Sequence, residues 1–365
     1  MTTVVGVNDA KAVKRWATSL ATDTEKQQYF TRFIGQGENN IIERKVELET
    51  DAGDEVSFDL SMRLRGGMTT GDDRVEGTAE GLNFYSDEVK IDQARKGASA
   101  GGRMTRKRTL HNLRRIARDR TSEYVAQWVD EGFFAYLSGD AGLTAINEDR
   151  VFSNANFAGN TITAPDADHI MYAGSATSKA TIASSDKMSV ALIERAAVKP
   201  KMMNATNPNA IRMSPVSVDG SKHFVMLMSP FQCHSLRTET GDLSWSKIQQ
   251  ALATSEGRKS PICKGGLGMI NNIVLHEHES VPRWTDYGAG ANVSAARALL
   301  LGRQAGVVAY GTAGKGTRFS WVEKLVDADN QVEIYCGVIM GMKKTTFNSL
   351  DFGVVAIDTA AADPN

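Results

Sequence analysis

Hydrophobic and polar positions change period several times along the chain, and each change marks an element. Val56, Phe58, Leu60, Met62 and Leu64 alternate strictly with Ser57, Asp59, Ser61, Arg63 and Arg65, which predicts a half-buried strand. Ile42, Val46 and Leu48 keep a similar phase before it, the segment 50–55 around Gly53 supplies a turn, 66–73 a glycine-rich tip, and 82–92 a returning strand. Two arrangements satisfy this pattern: an antiparallel sheet with one wet face, or a projecting β arm lying on another subunit.

Residues 9–34 read as a helix capped by Asn8 or Asp9, with Trp16, Leu20, Phe30, Phe33 and Ile34 as its large apolar positions. They are sparse and gather at the end, which suits an arm leaning on a neighbour as well as an ordinary terminal helix. The strongest helical period covers 106–138, where Leu110, Leu113, Ala117, Tyr124, Val125, Trp128, Val129, Phe133 and Tyr136 follow three–four spacing. Gly139 stands at its expected C-terminal cap. Residues 140–185 are rich in Gly, Ala, Ser, Thr and Asn and predict loops and short strands. A shorter helix is expected over 187–198, stopped by Pro200. Strands are expected at 223–229 and 271–279, with a helix around 244–253 between them. A small-residue apolar segment spans 295–310, and three strand-like runs begin at Phe319, Val332 and Asp351. Helices and strands mix without a βαβ rhythm, so the expected class is α+β.

At 365 residues the chain can hold one large domain or two packed subdomains, and its 41% apolar content suffices for a core. The net charge of −1 argues against nucleic-acid binding as the main task, because phosphate neutralisation needs a strongly basic surface. Cys233, Cys263 and Cys336 are odd in number and form no CxxC pair, so neither a disulfide framework nor a zinc knuckle is expected. The N-terminal run lacks a signal-peptide pattern, and no apolar stretch approaches the ~20 residues of a membrane helix. A product of a reducing cytosol, without membrane attachment, is expected.

Catalytic chemistry is thin. His276-Glu277-His278-Glu279 places two histidines at i, i+2, a spacing that can hold a metal, but no third ligand is recognisable and polar alternation on a surface strand explains it as well. The run 309–317, AYGTAGKGT, departs from a phosphate loop because Gly316 follows Lys315 and only two residues separate Gly311 from Gly314. Cys263 beside Lys264 is a commonplace neighbour pair. No catalytic residue, cofactor or metal is therefore expected, and a metal-dependent hydrolase using His276 and His278 is the alternative from another class.

Charge is segregated. Arg103, Arg106, Lys107, Arg108, Arg114, Arg115, Arg118 and Arg120 crowd residues 103–120 against Asp119 alone. Glu38, Glu43, Glu47, Glu49, Asp51, Asp54, Glu55 and Asp59 crowd 38–59 against Arg44 and Lys45. Such blocks are self-complementary between copies, or are two unrelated solvated faces. The first reading makes Glu43, Glu47 and Glu49, on one face of a strand, intersubunit contacts for Arg108, Arg114, Arg115 and Arg118 on the long helix. A basic helix facing nucleic-acid phosphate is the competing view.

Six stretches carry a resemblance: 6–16 (GVNDAKAVKRW), 41–67, 75–93, 298–311 (ALLLGRQAGVVAYG), 319–334 and 337–359. In number and order they resemble the major capsid family of phage N-four and its relatives, of the Hong Kong 97-type capsid fold. The resemblance implies an N-terminal arm at 1–36 and an extended β loop at 37–95 overlapping a neighbouring subunit. It implies a peripheral domain with spine helix at 96–200, an axial domain at 201–315, and C-terminal strands returning to the peripheral domain at 316–365. It also implies a self-assembling icosahedral head shell of a tailed double-stranded DNA phage, made in the host cytoplasm and built of hexamers and pentamers. Separate scaffolding and portal proteins, decoration proteins and non-specific proximity to DNA are the implied partners, and an encapsulin-like nanocompartment shell is the alternative within the fold.

Overall fold

The computed structural model describes residues 28–50, 52–61, 64, 66–82, 84–146, 150–206, 211–218, 220–239, 267–312 and 318–364. The expected helix at 244–253, Cys263 and most of the expected helix at 9–34 lie outside them. In chain order the first elements are β1 (Ile34–Gly35), β2 (Ile42–Lys45), α1 (Glu47–Thr50), β3 (Glu55–Ser61), β4 (Phe84–Lys90) and β5 (Asp92–Gly102). The middle contains α2 (Arg103–Arg108), α3 (Leu113–Ser138), β6 (Ile170–Tyr172), α4 (Val190–Thr206), β7 (Val216–Val218), β8 (Ser221–Met228) and α5 (Pro230–Arg237). Then come β9 (Gly268–Ile270), β10 (Ile273–Glu277), β11 (Arg283–Tyr287), β12 (Val293–Leu301) and β13 (Gly306–Gly311). The chain closes with β14 (Phe319–Val326), β15 (Gln331–Lys344), β16 (Thr346–Phe347), β17 (Leu350–Asp351) and β18 (Val354–Ala360). The class is α+β.

Among the described residues the strands form two large sheets and two small ladders. One sheet runs β1-β2-β13-β15-β14, with β5 also paired to β15, and α3 packs across β5 and β15. The other runs β6-β18-β12-β8-β10-β9, with β11 on β12 and β7 on β8. The C-terminal run is thus divided: β14 and β15 belong to the first sheet and β18 to the second.

The second sheet is covered on both faces, which explains its unbroken apolar strands. Val225, Leu227, Leu299 and Leu301 point into the core shared with α3, whereas Phe224, Met226, Met228, Ala298 and Leu300 point into a second core against α4. Period-two alternation assigns each residue to its side.

Several boundaries differ from expectation. The long helix does not start at 106: α2 ends at Arg108, and α3 begins afresh where the Asn112 side chain accepts the Arg115 N–H at 3.1 Å. Its 26 residues end at Gly139 in the left-handed region, φ +70°, as the sequence indicates. Pro200 does not stop α4 but sits inside it, buried, where Ala196, Ala197 and Met203 anchor the helix on the second core. Phe30–Phe33 form a single 3-10 turn rather than the end of a long helix. Asn271 and Asn272 adopt φ +43° and +65°, making the tight turn between β9 and β10 instead of extending a strand. The acidic segment is not one strand either: β2 ends at Lys45, and Glu47 and Glu49 belong to the short helix α1.

Candidate assembly surfaces

A hairpin rises from the first sheet. β3 and β4 pair antiparallel from Glu55↔Lys90 to Ser61↔Phe84. Its stem is covered by its own chain: Val56 and Val89 pack with Leu48, Val307 and Ala309, while Phe58, Leu60 and Tyr85 pack against Phe347 and Phe352. Polar contacts fasten the same base. The buried Asp87 carboxylate binds Lys343 Nζ and accepts the Thr346 N–H at 3.1 Å. The Asn160 amide brackets Lys90, donating to its carbonyl at 2.8 Å and accepting its N–H at 3.0 Å.

Beyond the stem the apolar side chains are uncovered. Met68 is 93% exposed, Val75 67% and Leu82 61%, among the exposed acids Asp72, Asp73, Glu76 and Glu80. A second exposed apolar spot lies where β5 ends: Leu110 is fully exposed and Met104 62% exposed, among exposed Arg103, Lys107 and Arg108.

The residues of the two charge blocks mostly have partners within the chain. Glu43 accepts from Lys45 at 2.7 Å and from Gln304 at 2.8 Å, and Glu49 lies 3.2 Å from Arg318 and 3.8 Å from Arg44. Arg114 binds Glu323, and Arg115 lies 3.7 Å from Asp119. Glu47 and Arg108 are exposed and Arg118 is half-buried. The structure does not bring the two blocks together within one subunit at any of these ion pairs.

The motif alternates, with Glu277 and Glu279 exposed and the two histidines turned inward. His276 is completely buried and packs edge-on to Phe33, while His278 lies 4.4 Å from the Tyr29 ring and 4.8 Å from that of Phe134. Burial, reinforced by Arg32, pushes His278 down to about 4, so the imidazole is neutral and its Nδ1 accepts the Ser280 N–H at 3.1 Å. Among the described residues no three His, Cys, Asp or Glu side chains converge as a metal site. Burial also pushes the Cys233 and Cys336 thiols up to about 12, leaving them unreactive. In the glycine-rich run, 309–311 belong to β13 and the Thr312 hydroxyl caps the Glu49 carbonyl at 2.5 Å; 313–317, with Lys315, lie outside the described residues.

Sequence reasoning missed the acids inside α3. Asp130 accepts the Tyr29 and Phe30 N–H groups at 2.7 and 3.1 Å, and Glu131 accepts those of Val151 and Phe152 at 2.7 and 2.9 Å. Two adjacent carboxylates thereby hold chain segments on two sides of the helix. The available signal was an acidic pair inside the otherwise apolar run 128–137.

The long helix α3 packed on the first sheet and a hairpin with a fastened stem and an uncovered tip are the features that stand out among the described residues. The signature of the phage capsid protein family matches residues 4–363. The chain belongs to that family. It is similar to the capsid of Ralstonia phage GP4, with 54% identity over the whole of both chains and a TM-score of 0.85. It is 25% identical to the major capsid protein of Pseudomonas phage KPP25, over 97% of this chain and 96% of that one. The cyanophage Pam1 capsid asymmetric unit shares the fold, at 20% identity and a TM-score of 0.71 over 92% of this chain and 93% of that one. The chain is a phage major capsid protein.

Proposed function

We propose that this capsid protein is a Hong Kong 97-type subunit of the phage N-four kind, non-enzymatic, that builds the icosahedral head of a tailed double-stranded DNA phage. In this reading 1–36 is the arm, 37–95 the extended loop, 96–200 the peripheral domain, 201–315 the axial domain and 316–365 the C-terminal strands. Subunits made in the host cytoplasm join as hexamers and pentamers, with separate scaffolding and portal proteins, and decoration proteins where they occur. The packaged DNA lies beside the shell without sequence-specific contact.

The observation that carries the reading is the hairpin. Its stem is fixed to its own subunit while the apolar tip residues have no cover there, and burying such surface favours association with a second chain. Ionic contacts add orientation. Glu43, Glu47 and Glu49 facing Arg108, Arg114, Arg115 and Arg118 of a neighbour remain part of this proposal. Glu47, Arg108 and Arg115 are the exposed members of the set, and Glu43 and Glu49 are half-buried.

Expression of the chain alone and with its flanking genes tests the reading by size exclusion and negative-stain imaging. Spherical particles of megadalton size are expected. Oligomers of a few subunits in both preparations would overturn it, and shells whose gene neighbours encode neither portal nor terminase would favour a nanocompartment.

A further inference from the structure

We propose that the groove between β6 and α4 is a docking site for an extended peptide segment of a separate partner protein. The segment is apolar, bears a carboxylate and adds as a strand beside β6.

Among the described residues β6 is the last strand on its side of the second sheet. It pairs with β18 in parallel, from Ile170↔Ala356 to Tyr172↔Asp358. The Ala356 N–H donates to the His169 carbonyl at 2.8 Å, and the Ala173 N–H to the Asp358 carbonyl at 3.0 Å. Alternate residues of a parallel ladder bond to alternate sides, so Ile170 and Tyr172 turn their N–H and C=O groups away from β18. That edge opens into a groove of about 1320 Å³, larger than the ~300–1,000 Å³ of typical small-molecule sites.

α4 forms the facing wall. Its Leu192, Ile193, Ala196 and Ala197 are spent on the second core. Val198 and Met202, one turn apart, line the groove instead, and each remains 53% exposed. Arg195 and Lys199, also one turn apart, reach across to the strand. Lys199 Nζ donates to the Ile170 carbonyl at 3.2 Å, and Arg195 Nη1 to the Gly174 carbonyl at 2.9 Å. These acceptors are neutral. Burial holds the Lys199 ammonium below the usual lysine range against the pull of Asp168 and Asp166, and Arg195 adds to the lowering. Glu194, the acid on the same wall, accepts from Asn271 at 2.9 Å.

An incoming strand brings an N–H group to the Ile170 carbonyl, which releases Lys199 to a carboxylate of the peptide. Main-chain bonds then supply the pairing, contact with Val198 and Met202 the adhesion, and the ion pair the choice of sequence.

Fluorescence anisotropy of short labelled peptides on free subunits tests the site. The probes alternate valine and threonine around a central aspartate or lysine. Two further aspartate probes carry N-methyl groups on alternate backbone nitrogens, one on each edge of the strand. The aspartate peptide is expected to bind, methylation of one edge to weaken it by about tenfold or more, and methylation of the other to leave it within about threefold. Lysine in place of aspartate should weaken binding by about tenfold, a preference that shrinks to within about threefold in Lys199→Met. Val198→Glu with Met202→Glu, both at exposed positions, should abolish binding with thermal unfolding unchanged.

No binding by any probe up to about 1 mM, equal losses from the two methylated edges, or an undiminished aspartate preference in Lys199→Met would overturn the docking site. Binding should persist on assembled shells. Binding confined to free subunits would overturn the assignment to a separate partner, since a neighbouring copy would then cover the groove. The free-subunit measurements need no shell, so their failure and that of the shell reading are distinguishable.

Discussion

Asp130 and His278 show how much one buried group depends on its surroundings. Both lie where the segment 28–33 crosses α3, and burial moves them in opposite directions: the Asp130 carboxyl up to about 7, the His278 imidazole down to about 4. Two backbone N–H bonds to Asp130, together with Arg32, oppose the rise without cancelling it. Between pH values of about 4 and 7 the folded chain keeps the Asp130 proton that the unfolded chain has released, so this group lowers stability as pH rises. Below a pH of about 6.5 the unfolded chain protonates a histidine that the folded chain holds neutral, so His278 lowers stability as pH falls toward 4. Single variants separate the opposed slopes. Asp130→Asn should leave a urea midpoint that climbs from about pH 4.5 to about pH 6.5, at a cost of about 1–2 kcal/mol because one amide oxygen serves two donors. His278→Phe should leave a midpoint that declines over the same range. Parallel profiles in the two variants would contradict these assignments. Neither shift is legible in the sequence, because burial is set by residues more than a hundred positions away.

At the level of elements, periodicity located the strands and α3 but not their ends. The break at 109–112 follows from Asn112, whose side chain satisfies an N–H of a new helix start more effectively than a continuing turn would leave room for. β5 escaped notice because DQARKGASAGG has no apolar alternation; its ladder to β15 is made by backbone groups, and its face is largely exposed. Glycines tell where elements approach most closely. A Cβ at Gly341 meets the Lys90 carbonyl oxygen at 1.9 Å, a backbone atom fixed by Asn160, whereas one at Gly132 meets only side-chain atoms, the Met342 Sδ at 2.6 Å and the Phe152 ring at 3.2 Å. Gly341→Ala should therefore destabilise the chain by about 3 kcal/mol by forcing the hairpin base from β15. Gly132→Ala should stay within about 1 kcal/mol, because the gain in helix propensity offsets the shift of a flexible side chain. Thermal unfolding of the two variants checks the order, and equal losses would mean that the base yields as readily as Met342.

For the whole molecule, the second sheet, α3 and the first sheet share a core, and its polar fastenings include the Arg297–Asp358 pair at 2.7 and 2.8 Å, with Arg297 also donating to the Ser138 carbonyl at 2.9 Å. That bond ties the end of α3 to β12 and β18. The stem of the hairpin joins this body, whereas Met68, Val75 and Leu82 of the tip are exposed. Limited proteolysis should separate the two in free subunits, with cleavage within 66–81 and survival of β3 and β4. Assembled shells should resist at the tip. Cleavage in the stem of free subunits, or equal cutting of the tip in both states, would contradict this division.

The sequence by itself determined the α+β class, most strands, the capped end of α3 and the capsid family, because period, capping residues and the order of motifs are local properties. It also showed that charge is divided into blocks. Which of those charges are already engaged at home was decided only by tertiary structure: Glu43 meets Gln304 and Glu49 meets Arg318, partners more than 260 residues away. The inward face of the histidine alternation was likewise given its partners by folding, which set His278 against Tyr29 and Phe134. Contact between distant segments depends on the sum of many burial and pairing free energies, and no local pattern contains that sum.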